Sequence, residues 1–430
     1  MSRLSRRELD ELVNANVISF ETSNSIFNYY ENQKKEKPNR FPVIVNILGA
    51  LLVGLGIILV IAHNWDNLNK LTKTIIAFLP LAAGQLLCIY TLIKRKNSIL
   101  WSECSSIILF FAVASSISLV SQVYHISGEL SGFLLTWMLL TFPLVYLMPS
   151  SVTALLYIVG ITWYACEIGY FGSYYSRSIP LYYPALLAII IPHYYQYYKY
   201  KPGSNFFILL NWLLVLSVTI TLGSFANSRL DSSRWVSTAY LAVFCVFYLI
   251  GRSRLFENNG LSANPFLGIG IGGILSVLFI WSFKWPWSDD YLYSSPFLYI
   301  TAVILVIEVW LMISDYNRVK KIIFDPLGFS GLFLFLLLFM FQSAPSAGIF
   351  FINIWILFVA VFFIRRGALM DHLGILNFGL LIIAILAACR FFDDNIPFVW
   401  RGLFFLATGA GFFVGNYLLV KKRKESLKNK

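Results

Sequence analysis

Apolar stretches long enough to cross a bilayer recur from Val43 almost to Val420, and the polar turns between them leave little room for a soluble domain. A bilayer core of about 30 Å takes about 20 helical residues per crossing. Lipid offers no partner to free backbone groups, so the crossing segments must be helices or a closed barrel. The runs are continuous and near twenty residues rather than alternating over ten, which selects helices. Only 13% of the chain is charged against 58% hydrophobic, and a soluble domain carries roughly twice that charge fraction. The expected fold class is therefore all-α, a polytopic transmembrane helical bundle.

Hydropathy places about fourteen spans at 43–62, 74–93, 105–124, 130–148, 151–170, 180–198, 206–225, 235–250, 264–283, 296–313, 325–342, 346–364, 371–389 and 397–420. The pairs 130–148/151–170 and 325–342/346–364 have very short connections, so either is a candidate re-entrant hairpin. Residues 1–42 read as a cytoplasmic module and linker, 43–420 as the transmembrane domain and 421–430 as a basic tail.

The formal net charge of +12 lies beside the spans, as positive-inside anchoring requires, and argues against a nucleic-acid partner. With the N-terminus in the cytoplasm, twenty-five of the Lys and Arg residues fall on the inner side, among them Arg3, Lys34, Lys94, Arg95, Lys96, Arg252, Lys320, Arg365 and Lys421. Eight remain at the outer boundary: Lys70, Lys73, Arg177, Arg229, Arg234, Lys284, Arg390 and Arg401. Both termini are then expected in the cytoplasm of a multi-pass protein. The start of the chain is too polar for a cleaved signal peptide. The five cysteines lie singly, without CxxC spacing or a disulfide framework.

Residues 1–38 predict a short helical hairpin. Ser5 and Glu8 fit a capping box, with Leu4 as the staple residue, and Leu9, Leu12 and Val13 form one apolar stripe. Ser19 is a second N-cap, followed by a helix bearing Ile26, Phe27 and Tyr30. So small a module needs something to pack against. That makes 1–38 a candidate surface for a protein partner, with the membrane domain as the alternative.

Several segments together resemble a bacterial family of predicted multi-pass membrane proteins of unknown function (DUF2157-type). They are the pattern Leu9, Leu12, Val17, Ile18, Ser19; then Asn46, Leu48, Gly49, Gly54, Gly56; then Ala62-His63-Asn64-Trp65-Asp66. Leu119, the run Gln122-Val123-Tyr124-His125-Ile126-Ser127-Gly128, Trp137 and Pro143 extend the likeness to about residue 150. The resemblance implies a bacterial inner membrane and no particular reaction.

Polar residues at span ends are the first candidate site: His63, Asn64 and Asp66 after the first span, Gln122, Tyr124, His125 and Glu129 after the third. The topology assigns both groups to one face. His63/Asp66 and His125/Glu129 have helical ligand spacing, but a metal needs three or four converging ligands, so no metal and no cofactor is expected. Interface anchoring by Trp65 and Tyr124 is the simpler reading. Glu308, deep in an apolar run, and Glu167, nearer a span end, are candidate intramembrane acids, because a charge in lipid is costly and usually faces a cavity or partner. Gly268/Gly272 and Gly411/Gly415 are small residues four apart, and with Gly49 and Gly54 they are expected at close helix contacts. The many tyrosines of 173–200 read as an interfacial belt. No nucleophile elbow, HExxH or Walker loop occurs.

Three functions fit. A secondary transporter or flippase-like carrier would use Glu308 and the polar span ends on a small-molecule or lipid-linked substrate. A structural or sensory protein would bind its partner through 1–38. An intramembrane enzyme would act on a lipid-linked substrate near His63, Asp66 and His125. The lack of a soluble catalytic domain ranks the carrier first.

Overall fold

The computed structural model describes residues 41–63, 69–148, 150–171, 178–226, 233–253, 260–287, 296–319, 325–341 and 344–391, with residue 256, parts of 9–26 and scattered positions in 399–413. Every regular element among them is helical: α1 (Phe41–His63), α2 (Lys70–Lys94), α3 (Ile99–Tyr124), α4 (Leu130–Leu147), α5 (Ser151–Cys166), α6 (Tyr183–Ala188), α7 (Ile191–Tyr200), α8 (Asn205–Leu222), α9 (Ser233–Gly251), α10 (Pro265–Trp281), α11 (Pro296–Val319), α12 (Ser330–Met340), α13 (Pro345–Leu369) and α14 (Leu373–Phe391). Among the described residues nine helices are long and apolar enough to cross a membrane.

The chain divides into two compact units. The first is Met1–Ser127 with Pro143–Thr153. In it α2 and α3 reverse through a turn in which Ser98 N–H donates to Arg95 C=O at 2.9 Å. Small residues let the two helices approach. A Cβ on Gly84 would come within 3.1 Å of Leu109 Cα, and Ser116 Oγ donates to Ala77 C=O at 2.6 Å. A serine-rich face of α3 is buried (Ser102, Ser105, Ser106, Ser115, Ser116). Ser105 and Ser106 return their hydroxyls to backbone carbonyls of their own helix, which satisfies those donors locally. At the front of the chain, Ser19 Oγ accepts from Thr22 N–H at 3.2 Å, so the expected N-cap is present. The rest of the expected hairpin lies mostly outside the described residues.

The second unit is Gly128–Phe142 with Ala154–Lys430. Its core gathers on α9, whose Trp235, Ala239, Leu241, Ala242 and Cys245 are fully enclosed. A Cβ on Gly270 or Gly273 of α10 would overlap the Tyr248 backbone or the Phe244 ring. Asn264 joins the ends of two helices: its Oδ1 accepts from Leu267 N–H at 3.1 Å and its Nδ2 donates to Gly251 C=O at 2.8 Å. On α12 and α13, Phe333 stacks on Trp355 at 4.1 Å, and the Trp355 indole donates to Ser330 Oγ at 3.0 Å.

Of the expected spans, 397–420 lies mostly outside the described residues, 264–283 is the 17-residue α10, and two others differ in form. The segment 180–198 is two short helices broken at Ile189 and Ile190. Pro192 explains the break, because its ring opposes the carbonyl four residues earlier, at Ala188, and it has no N–H to give. The segment 325–342 shrinks to the 11 residues of α12, about half the length needed to cross. Residues 326–329 form a turn that Asp325 ties down by accepting from Leu327 N–H at 3.2 Å.

Candidate functional site: buried glutamates at helix starts

Glu308 lies midway along α11 and is 0% exposed. Its Oε1 accepts from Leu332 N–H, in the first turn of α12, at 3.3 Å. A Cβ on Gly331 would collide with Oε2, so glycine is what allows the carboxyl to lie against the helix start. The first-turn amides of a helix are unpaired within it and carry partial positive charge. A carboxyl there meets complementary groups in surroundings that offer few others. Among the described residues Oε2 has no hydrogen-bond partner. Before α12, Asp325 pairs with Arg252 and accepts from the Tyr248 hydroxyl at 2.7 Å. Cys245 Sγ donates to Leu327 C=O at 3.5 Å. A half-length helix thus begins inside the second unit, with polar groups gathered at its start.

Glu103, in the first unit, is built on the same principle and is 1% exposed. Its carboxyl accepts from Ser151 N–H at 2.8 Å, Val152 N–H at 3.1 Å and the Ser150 hydroxyl at 2.5 Å. Ser150 Oγ in turn accepts from Thr153 N–H at 3.2 Å, and Thr153 Oγ1 donates to Ser106 Oγ at 2.9 Å. The first three amides of α5 are therefore all satisfied, two of them by a side chain from another helix. Glu103 stands beside the basic turn Lys94-Arg95-Lys96, where it reads as an ordinary flanking charge. The available signal was Ser150-Ser151 opening an apolar run with no acid in its own first turn.

Of the span-end candidates, Gln122, Tyr124 and His125 gather at the end of α3. His125 terminates the helix in the left-handed region, φ 52° and ψ 41°. Ile126 N–H closes the helix end onto Ser121 C=O at 2.9 Å. A cleft of about 610 Å³ there is lined by Lys70, Lys73, Ser121, Gln122, His125 and Ile126 among others. The two lysines are the residues that sequence reasoning treated only as boundary charge. His63 is the last residue of α1; its side chain, with Asn64 and Asp66, lies outside the described residues. Glu129 is exposed and accepts from Ser131 Oγ at 3.4 Å. Glu167 is half-buried and opens a π-helical turn, Glu167–Phe171. Among the described residues no three His, Cys, Asp or Glu side chains group as a metal site would require.

On α10 the expected glycine pair and the close contacts fall on different positions. Among the described residues, Cβ positions on Gly268 and Gly272 have nothing within 4 Å, as do those on Gly49 and Gly411. The close contacts of α10 fall on Gly270 and Gly273 instead. Gly54 is helical and its surroundings, like Gly415, lie outside the described residues.

Long apolar helices, buried carboxyls spent on helix starts and a wide lipid-compatible surface define a polytopic helical membrane protein. Residues 10–154 match the model of the family described as predicted membrane protein (DUF2157), so the resemblance read over 1–150 holds. The matched segment contains both the Glu103 cap and the cleft. No curated protein and no solved structure matches the chain.

Proposed function

We propose that this membrane protein is a secondary carrier whose moving part is the start of α12, with Glu308 as its intramembrane acid. The observation that carries the reading is the half-length helix beginning inside the second unit against a fully buried carboxyl with one oxygen unpaired. Interrupted helices whose N-termini meet ions or substrate groups are the usual binding architecture of secondary transporters. The contrast with Glu103 supports this. Glu103 has three donors and is a finished structural joint, whereas Glu308 has one and an idle oxygen. The distribution of basic residues supports cytoplasmic termini in a bacterial inner membrane.

A lipid-soluble carbodiimide, which modifies protonated carboxyls in apolar surroundings, tests the reading on native membranes followed by peptide mapping. A carrier opens at α12, so Glu308 becomes modified while Glu103, equally buried, does not. Equal protection of both acids over the same exposure would refute it.

A further inference from the structure

We infer that the cleft between the start of α2 and the end of α3 binds a phosphate-bearing anion. Lys70 and Lys73 lie one turn apart on the first turn of a 25-residue helix. The aligned amide dipoles at that helix start add to their positive charge. Asn69 Oδ1 takes Thr72 N–H at 2.8 Å, which fixes where the turn begins. Facing these groups are the side chains of Gln122 and His125 at the end of α3, and among the described residues none that lines the cleft is acidic.

The end of a helix ordinarily repels an anion through its free carbonyls. Here Ser121 and Gln122 carbonyls accept from Ile126 and His125 N–H, a closure that depends on the left-handed backbone of His125. A non-glycine residue is uncommon in that region. Lys70 is steadied over the Tyr124 ring, its ammonium 4.8 Å from the centroid. The volume, about 610 Å³, is ample for a phosphate or a lipid headgroup. Leu71 and Ile75 are exposed on α2 and offer apolar surface along which acyl chains could continue. The inference does not rest on the carrier reading, since it concerns a different unit and different residues.

The test uses the full chain purified in a non-ionic detergent and titrated by calorimetry with dihexanoyl phosphatidic acid, dihexanoyl phosphatidylcholine and inorganic phosphate. The expected result is saturable binding of phosphatidic acid, stronger than that of phosphatidylcholine. It should weaken about tenfold or more in Lys70→Gln/Lys73→Gln. It should survive in Lys70→Arg/Lys73→Arg and in the control Lys94→Gln/Lys96→Gln. Displacement by inorganic phosphate would assign the site to soluble phosphates; phosphatidic acid binding that phosphate does not displace would assign it to lipid headgroups. Absence of saturable binding to either probe, or binding unchanged in the glutamine variant while that variant elutes as the native protein does, would overturn the inference.

Discussion

Replacing Glu103 by leucine keeps the apolar bulk and removes the acceptor of three hydrogen bonds, from Ser151 N–H, Val152 N–H and the Ser150 hydroxyl. The hydroxyl can rotate to another oxygen, since Thr153 Oγ1 is 2.8 Å away. The two amides cannot, because the backbone of the helix start holds them in place. An unsatisfied buried donor costs roughly 1–3 kcal/mol, so the two amides set a loss of roughly 2–6 kcal/mol. Hydrogen bonds within membrane proteins average nearer 0.6 kcal/mol, which lowers the floor to about 1 kcal/mol for the two. A loss in that range is measurable against a typical folding free energy of about 5–15 kcal/mol. Glu103→Gln keeps one carbonyl acceptor but points a donor at donors, so it should fall between native and leucine. Unfolding by sodium dodecyl sulfate in mixed micelles, followed by tryptophan fluorescence, measures the series. If Glu103→Leu unfolds within about 0.5 kcal/mol of the native protein, a variation usual for surface substitutions, the carboxyl is not holding the start of α5 and the reasoning fails.

Gly270→Leu should destabilise the protein by about 1–3 kcal/mol or prevent folding through overpacking, whereas Gly268→Leu should leave the thermal midpoint in detergent nearly unchanged. A double-substitution cycle of Arg252→Ala and Asp325→Ala should give a coupling of roughly 1–3 kcal/mol, because Asp325 is buried and pairs with Arg252; additive losses would deny the pair any energetic role. Pro192→Ala restores the missing N–H and removes the clash with Ala188, so amide exchange at Ile189 and Ile190 should slow by about an order of magnitude, a change of about 1.4 kcal/mol in local opening.

Hydropathy carried most of the architecture, because membrane helices must satisfy their backbones internally and declare themselves by length. The departures are local. Pro192 divides one expected span, and Asp325 with the turn after it shortens another to α12. Small-residue spacing pointed to Gly268 and Gly272 of α10, but spacing does not say which face a neighbour occupies; Phe244 and Tyr248 of α9 lie against Gly270 and Gly273. Glu308 was visible as a charge in an apolar run. Its partner was not, since the amide of Leu332 belongs to a helix start 24 residues away and backbone donors leave no mark in a sequence. Glu103 escaped for the opposite reason: beside Lys94, Arg95 and Lys96, a glutamate looks solvated. The cleft was half legible, through Gln122 and His125, while Lys70 and Lys73 were absorbed into the count of flanking charge.

Deuterium exchange of the intact chain in lipid nanodiscs, compared at two helix starts, tests the central claim most directly. The carrier account predicts that the first turn of α12, Gly331 and Leu332, exchanges well before the first turn of α5, Ser151 and Val152, because the former opens around Glu308 and the latter is locked to Glu103. Equal and lasting protection at both would mean that α12 is as fixed as α5, and would contradict the account.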